Sequence, residues 1–336
     1  MARVAVVTGG TAGIGLATAQ LFAARGWSVA VIARDERRLR QAEKLLAEHG
    51  RPVLAISADV ADAAAVDAAA ARIEAEFGLI RAWVNNAMST VVSPADQISP
   101  EEYRRVTETT YLSQVYGTLA ALRHMKPRNR GAIIQVSSGL GIRAAPLQAA
   151  YCGAKFAVSG FTDALRCELI HDRVDVSLSV VYLPAVNTPQ FGWSRTRTGR
   201  GQYAPDPVFD PRLCAEAILY AVEHPRREVW VGRTSVMMAA AQAVAPALAD
   251  RKAASMWDAQ LEDAEKPDRA GNLFEPAPGD AAVDGRFSSR MRTTRHAFWT
   301  SRERDLLVAG VAGAALLGLA GAVALATAPR RLLGNP

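Results

Sequence analysis

Three side chains near the middle of the chain are of types that could move a proton to or from an oxygen: Ser138, Tyr151 and Lys155. Tyr151 opens a run to about residue 171 in which Phe156, Val158, Phe161, Leu165 and Leu169 recur at helical intervals. One helical turn separates Tyr151 from Lys155, so phenol and ammonium project from the same face. A free tyrosine, with a pKa of about 10, is a poor acid or base near neutrality. A fixed cation nearby favours the phenolate and is expected to bring that pKa towards working pH. Ser138 ends a strand-like run, 132–138, and its hydroxyl would hold a carbonyl or alcohol oxygen beside the phenol. Alone, Tyr-x-x-x-Lys is also a common solvated pair on helix surfaces. The elements around it decide its meaning.

Residues 3–8 read as a short buried strand, followed at once by Thr8-Gly9-Gly10-Thr11-Ala12-Gly13-Ile14-Gly15 and a helical pattern ending at Gly26. Glycines between a strand and a helix allow a tight turn and close approach to a pyrophosphate, whose charge meets the helix N-terminal amides. The next strand, 28–33, ends at Ala33-Arg34-Asp35, where an adenosine ribose should lie. NAD binders usually place a carboxylate at that strand end. Here Ala33 stands there and Arg34 follows, which suits a 2′-phosphate and favours NADP, with NAD the alternative. Asp59-Val60 closes a third strand, 53–57, where Asp59 could accept from the adenine amino group.

A fourth strand, 81–84, runs into Asn85-Asn86-Ala87-Met88. Ser99-Pro100-Glu101-Glu102 then starts a helix with a capping box, predicted to run to about 126. A sixth strand, 174–183, ends at Pro184-Ala185-Val186-Asn187-Thr188-Pro189, and an aperiodic stretch rich in arginine and aromatics, 191–209, is a candidate substrate lid. A helix from Asp210 and a seventh strand, 228–231, follow. Strands alternating with helices predict an α/β fold: a Rossmann-like, doubly wound parallel sheet of about seven strands. Residues 1–235 would form the dinucleotide-binding catalytic domain. Residues 236–305 would form a helical extension and a basic connector, extended where Pro267, Gly271, Pro276, Pro278, Gly279 and Gly285 fall.

Composition narrows the function. The chain has 336 residues, 50% of them hydrophobic, and a net charge of +6. Basic residues do not interleave with aromatics in the main body, so nucleic acid is not indicated as a partner. The five histidines have no metal-ligand spacing, and no metal is expected. Cys152, Cys167 and Cys214 are an odd set without C-x-x-C spacing, which points to a reducing compartment.

Taken together, Thr8-Gly9-x-x-x-Gly13-Ile14-Gly15, Asp59-Val60, Asn85-Asn86-Ala87, Ser138, Tyr151-x-x-x-Lys155 and the 184–188 segment resemble the short-chain dehydrogenase/reductase family, in order and spacing, over about residues 3–232. The resemblance implies a nicotinamide cofactor, with contacts from Gly9, Thr11, Gly13, Ile14, Gly15, Asp59, Val60, Asn86, Ala87, Pro184, Val186 and Thr188. It implies Tyr151 as acid/base, Lys155 lowering its pKa and holding the nicotinamide ribose, and Ser138 orienting substrate. A homo-oligomer is implied too. Thr110 stands where the family usually has Asn, whose kinked helix offers a main-chain carbonyl to a relay water; threonine keeps that carbonyl. Met88 and Ala185 replace common glycines.

The tail reads differently. Residues 306–328 contain only apolar residues, glycine and Thr327. At about 1.5 Å per residue such a helix exceeds a hydrocarbon core of about 30 Å. Arg302, Arg304, Arg330 and Arg331 bracket it, and Phe298 and Trp299 sit where interfacial residues would. A transmembrane helix with the catalytic domain on the cytoplasmic side is expected, a buried helix of a soluble cytoplasmic protein being the alternative. A chain ending near Asp280 should then stay soluble and bind cofactor. The function that emerges is a membrane-tethered NADP(H) oxidoreductase interconverting a secondary alcohol and a ketone or aldehyde, with a lipophilic small molecule as plausible substrate. A catalytically silent dinucleotide-binding scaffold or sensor at a membrane is the alternative.

Overall fold

Apolar runs too continuous to face water on either side build the centre of the molecule. The structure, a computed structural model, describes residues 3–293, 298–303 and 305–306. Strands β1 (Val4–Thr8), β2 (Ser28–Ala33), β3 (Val53–Ser57), β4 (Ile80–Asn85), β5 (Gly131–Ser138), β6 (Val176–Leu183), β7 (Glu228–Val231) and β8 (Phe298–Thr300) form one sheet in the order 8-7-6-5-4-1-2-3. Strands β1 to β7 lie parallel. The order reverses between β1 and β4, which opens a crevice at their C-terminal ends.

Helices cover both faces. On one side α1 (Gly13–Ala24), α2 (Glu36–Ala47) and α7 (Pro211–Glu223) pack Phe22, Leu39 and Ile218 onto Val7, Val31 and Val229. On the other, α3 (Ala63–Phe77), α5 (Ser113–Met125) and α6 (Ala149–His171) bring Ile73, Ala121 and Leu165 against Val6, Trp83 and Ile133. The helix begun at Ser99 has the predicted capping box, but it is not one α-helix. Between α4 (Pro100–Thr107) and α5 lies a π-turn, Glu108–Leu112. Such a turn inserts one extra residue per turn and often marks a functional site.

Two expectations need correction. The sheet has eight strands and is mixed, because Phe298–Thr300 pairs antiparallel with β7. Phe298 and Trp299 therefore cover the bare edge of β7, where they had been expected beside a membrane. The connector is not extended either. It folds back over the crevice as a clasp, and Leu273, Val283 and Phe287 are buried. Proline and glycine there mark turns between docked pieces. Asn187, buried at the end of β6, accepts from the Phe287 amide at 2.9 Å, and its main-chain oxygen accepts from Gly285 at 3.2 Å.

A chain cut after Asp280 loses Val283, Phe287 and β8, each buried large side chain contributing about 1.5–3 kcal/mol. It should melt well below the full chain, whereas one ending at Asp305 should match it in thermal unfolding. Equal melting of all three would mean that the clasp adds nothing to stability.

Helices α8 (Gly232–Val244) and α9 (Pro246–Ala254) form a hairpin beside β7 and β8. Among the described residues no helix is long and apolar enough to cross a membrane. The expected span, 306–328, lies outside the described residues beyond Leu306.

Candidate active site

Sixteen of the seventeen residues singled out from the sequence come together at the crevice, around a cavity of about 840 Å³. They are Gly9, Thr11, Gly13, Ile14, Gly15, Arg34, Asp59, Val60, Asn86, Ala87, Ser138, Tyr151, Lys155, Pro184, Val186 and Thr188. Thr110 is the exception.

At the phosphate end the backbone is packed to its limit. A Cβ on Gly15 would stand 2.2 Å from the Gly9 oxygen, and one on Gly9 would meet the Ala87 Cα at 3.0 Å with φ at +66°. Thr8 ties the turn to the end of β4: its hydroxyl accepts from the Asn86 and Ala87 amides, at 3.0 and 3.1 Å. Asn86 donates its side-chain amide to the Thr8 carbonyl at 3.0 Å. A cradle that admits no Cβ, at a helix N-terminus, fits a dinucleotide pyrophosphate. The clasp closes this end, since the Gly13 amide donates to the Ala282 carbonyl at 2.8 Å.

At the ribose end Arg34 points into the cavity and is held by two main-chain carbonyls of the clasp, Phe274 at 2.6 Å and Asn272 at 2.8 Å. They orient the guanidinium without neutralising it. The one acid at this strand end, Asp35, is engaged: it caps α2 through the Arg38 amide at 2.9 Å and pairs with the Arg38 guanidinium at 3.3 Å. Arg38 in turn donates to Ala277 and lies 4.5 Å over the Trp193 ring. Asp59 accepts from the Ala61 amide at 3.0 Å and from Arg105 at 2.5 Å. Burial pushes its carboxyl up, but the amide and the Arg105 guanidinium outweigh that and leave it below the usual range. Arg105 and the clasp partners of Arg34 were not found from the sequence, because nothing local marks residues that meet over such distances in the chain.

At the other end Ser138, Tyr151 and Lys155 meet. Lys155 is 1% exposed, with its Nζ 2.7 Å from the Val136 carbonyl and 5.6 Å from the centre of the Tyr151 ring. Burial brings its pKa down to about 7. Ser138 accepts from the Leu140 amide at 3.1 Å and hydrogen-bonds the Tyr151 phenol. Desolvation raises the phenol above its ordinary pKa of 10, and the Ser138 bond opposes this only in part. The lowering expected from Lys155 is thus not what dominates in this pocket. A protonated phenol beside a serine hydroxyl is equipped to give a proton to a carbonyl oxygen held between them.

Thr110 sits in the π-turn, fully buried, and is not among the residues that line the cavity. It donates to the Ser89 carbonyl at 2.8 Å and accepts from the Ser89 amide at 3.0 Å. With both bonds made, the side chain serves to fix the loop after β4. Its neighbour Thr109 lines the cavity instead.

Fold and site together define a Rossmann-type dinucleotide-binding domain with a Ser-Tyr-Lys set at the crevice. The sequence model described as short chain dehydrogenase matches residues 3–197, and the chain belongs to that family of NAD(P)-dependent oxidoreductases. It is similar to the uncharacterized oxidoreductase YxnA of Bacillus subtilis, 34% identical over 252 residues, 74% of this chain and 70% of that one. It is also similar to a 3-dehydrosphinganine reductase of Danio rerio, 33% identical over 191 residues, 55% of this chain and 57% of that one. Among solved structures, a short-chain dehydrogenase from Streptomyces avermitilis superposes with a TM-score of 0.64 at 25% identity, over 75% of this chain and 96% of that one.

Proposed function

We propose that the protein is an NADP(H)-dependent oxidoreductase that interconverts a secondary alcohol and a ketone or aldehyde. The observation that carries this is the meeting of Ser138, Tyr151 and Lys155 in the same cavity as the glycine cradle. The nicotinamide, when bound, supplies or takes the hydride. The chain's own part is to hold the substrate oxygen by Ser138 and move its proton at the Tyr151 hydroxyl. Lys155 sits beneath, fixed by Val136, as the group that holds the nicotinamide ribose and biases the phenol. The phenol and the hydroxyl act on an oxygen on carbon, which is why the substrate class is an alcohol or carbonyl. Tethering through 306–328 rests on the sequence and is part of the same reading. Turnover of NADPH with a panel of steroids, retinoids, fatty aldehydes and sugars tests it, and oxidation of cofactor by none of them would count against it.

NADP is preferred over NAD because the carboxylate at the end of β2 is engaged by Arg38 while Arg34 keeps its charge towards the cavity. Arg34→Ala should weaken NADPH binding by about 10- to 100-fold, the loss of one charge-assisted contact. Loss of the clasp contact would weaken NADPH and NADH alike, so the ratio of the two affinities in calorimetry is the readout. An unchanged ratio would overturn the assignment.

A further inference from the structure

The hairpin α8–α9 has two apolar sides, and only one of them has a described partner. Its inner side walls the cavity with Met238, Ala249 and Ala253, and Met256 just past α9 joins them. Further down, Val236 and Ala239 pack on Tyr182 and Trp230 of the sheet. Its outer side carries Val244 and Leu248 at the tip, exposed by 84% and 66%. Between Arg233 and Asp250 the chain has no charged residue, and around the bend Ala243, Pro246 and Ala247 are exposed as well. Exposed apolar residues gathered at one tip are not the normal scatter of a water-facing surface.

Charge frames the tip. Arg233, Arg251 and Lys252 are exposed at its base and form no ion pair among the described residues, and Lys252 also borders the cavity mouth. An apolar tip above a basic collar is the pattern of an element that rests in a bilayer interface, with cations level with anionic headgroups. The path of the chain agrees. Helix α8 packs beside β8, and the chain leaves the described region at Leu306, a few residues past β8. Leu306, the last described residue, thus follows the edge strand that the hairpin packs beside.

We infer that the α8–α9 hairpin docks on an anionic lipid surface and forms the doorway by which a membrane-dissolved, long-chain carbonyl or alcohol enters the cavity. The reading of the substrate as lipid rests on the proposed function; the docking does not. Met238 and Met256 line the same cavity as Tyr151, so the hairpin that carries the apolar tip also walls the site. The unbranched, adaptable methionine side chain suits a wall that must fit a flexible chain.

Two measurements on the full chain in phosphatidylcholine–phosphatidylglycerol vesicles test this. In the first, Val244→Trp is compared with the unsubstituted protein in vesicles whose lipids carry brominated chains. Strong added quenching of the new indole is expected, and none beyond the unsubstituted protein would overturn the docking. In the second, the double variant Val244→Glu, Leu248→Glu is assayed with a long-chain methyl ketone dissolved in the vesicles and a short water-soluble methyl ketone. Losing the tip's apolar anchorage should lower kcat/KM by more than about tenfold for the first ketone and leave the second unchanged. Equal effects on both would overturn the doorway. A fall in oligomeric mass of the double variant, with kcat/KM for the vesicle-dissolved ketone unchanged, would overturn the doorway and assign the tip to a second copy of the chain. If neither ketone is turned over, the oxidoreductase reading is at fault, and the quenching result still decides the docking.

Discussion

Tyr151→Phe should lower kcat for carbonyl reduction by about 10²- to 10⁴-fold, the span of a lost general acid, while cofactor affinity stays close to that of the parent. The phenol is buried, bonded to Ser138, and held protonated across neutral pH by desolvation. Removing only its oxygen leaves the ring, its packing and the Lys155 contact in place, so folding should not change. The expected result is a fall in kcat without a matching rise in KM, because the proton is given in the transition state and not on binding. Single-turnover assays at saturating cofactor would show it. Retention of full turnover would remove Tyr151 from the chemistry and restore the scaffold alternative.

Lys155→Met should cost at least about 10²-fold in kcat and yet make the protein more stable at pH 7. The ammonium titrates near 10.5 in the unfolded chain and near 7 in the fold, where burial disfavours its charge. Between those values the unfolded chain binds more protons, so the stability of the native protein should rise with pH through that window, and the penalty is full below it. At about 1.4 kcal/mol per pH unit the buried charge costs several kcal/mol. Methionine removes the charge and leaves no orphan, because the Val136 carbonyl still accepts from the Gln114 side-chain amide at 3.1 Å. The variant should melt roughly 5 °C or more higher at pH 7, with the gap closing towards pH 10.5. A variant that melts lower at every pH would show that the ammonium stabilises the fold.

The parts legible in the sequence are those whose signals are local. β2, β3 and β7 lie where the apolar runs end, and the glycine turn, the capping box at Ser99 and the Tyr151–Lys155 face follow from spacing within one element. What escaped depends on contacts across the chain. The clasp has no periodicity, because each of its pieces is shaped by the surface beneath it, and proline and glycine there read as a linker. β8 is three residues long and exists only because β7 offers an edge. The helix expected to run unbroken to about 126 is interrupted at Thr110 by a π-turn, which no local spacing announces. The direction of the Tyr151 shift was missed because spacing shows the neighbouring cation and not the depth of burial.

The bond between the Gly13 amide and the Ala282 carbonyl joins the first turn of the chain to nearly its last described segment. A ribosome makes the glycine turn early and Ala282 late. Strands β1 to β7 and their helices can assemble meanwhile, each on its predecessor, as parallel crossovers do. The nascent chain therefore carries an open-sided dinucleotide groove throughout its synthesis. Arg34 and Asn187 wait for their clasp partners until that segment emerges. Tight cofactor retention should begin only at that moment, when the uncharged stretch after Leu306 is next to appear. Ribosome-bound chains stalled just before and just after the clasp clears the exit tunnel should thus differ sharply in their hold on the cofactor.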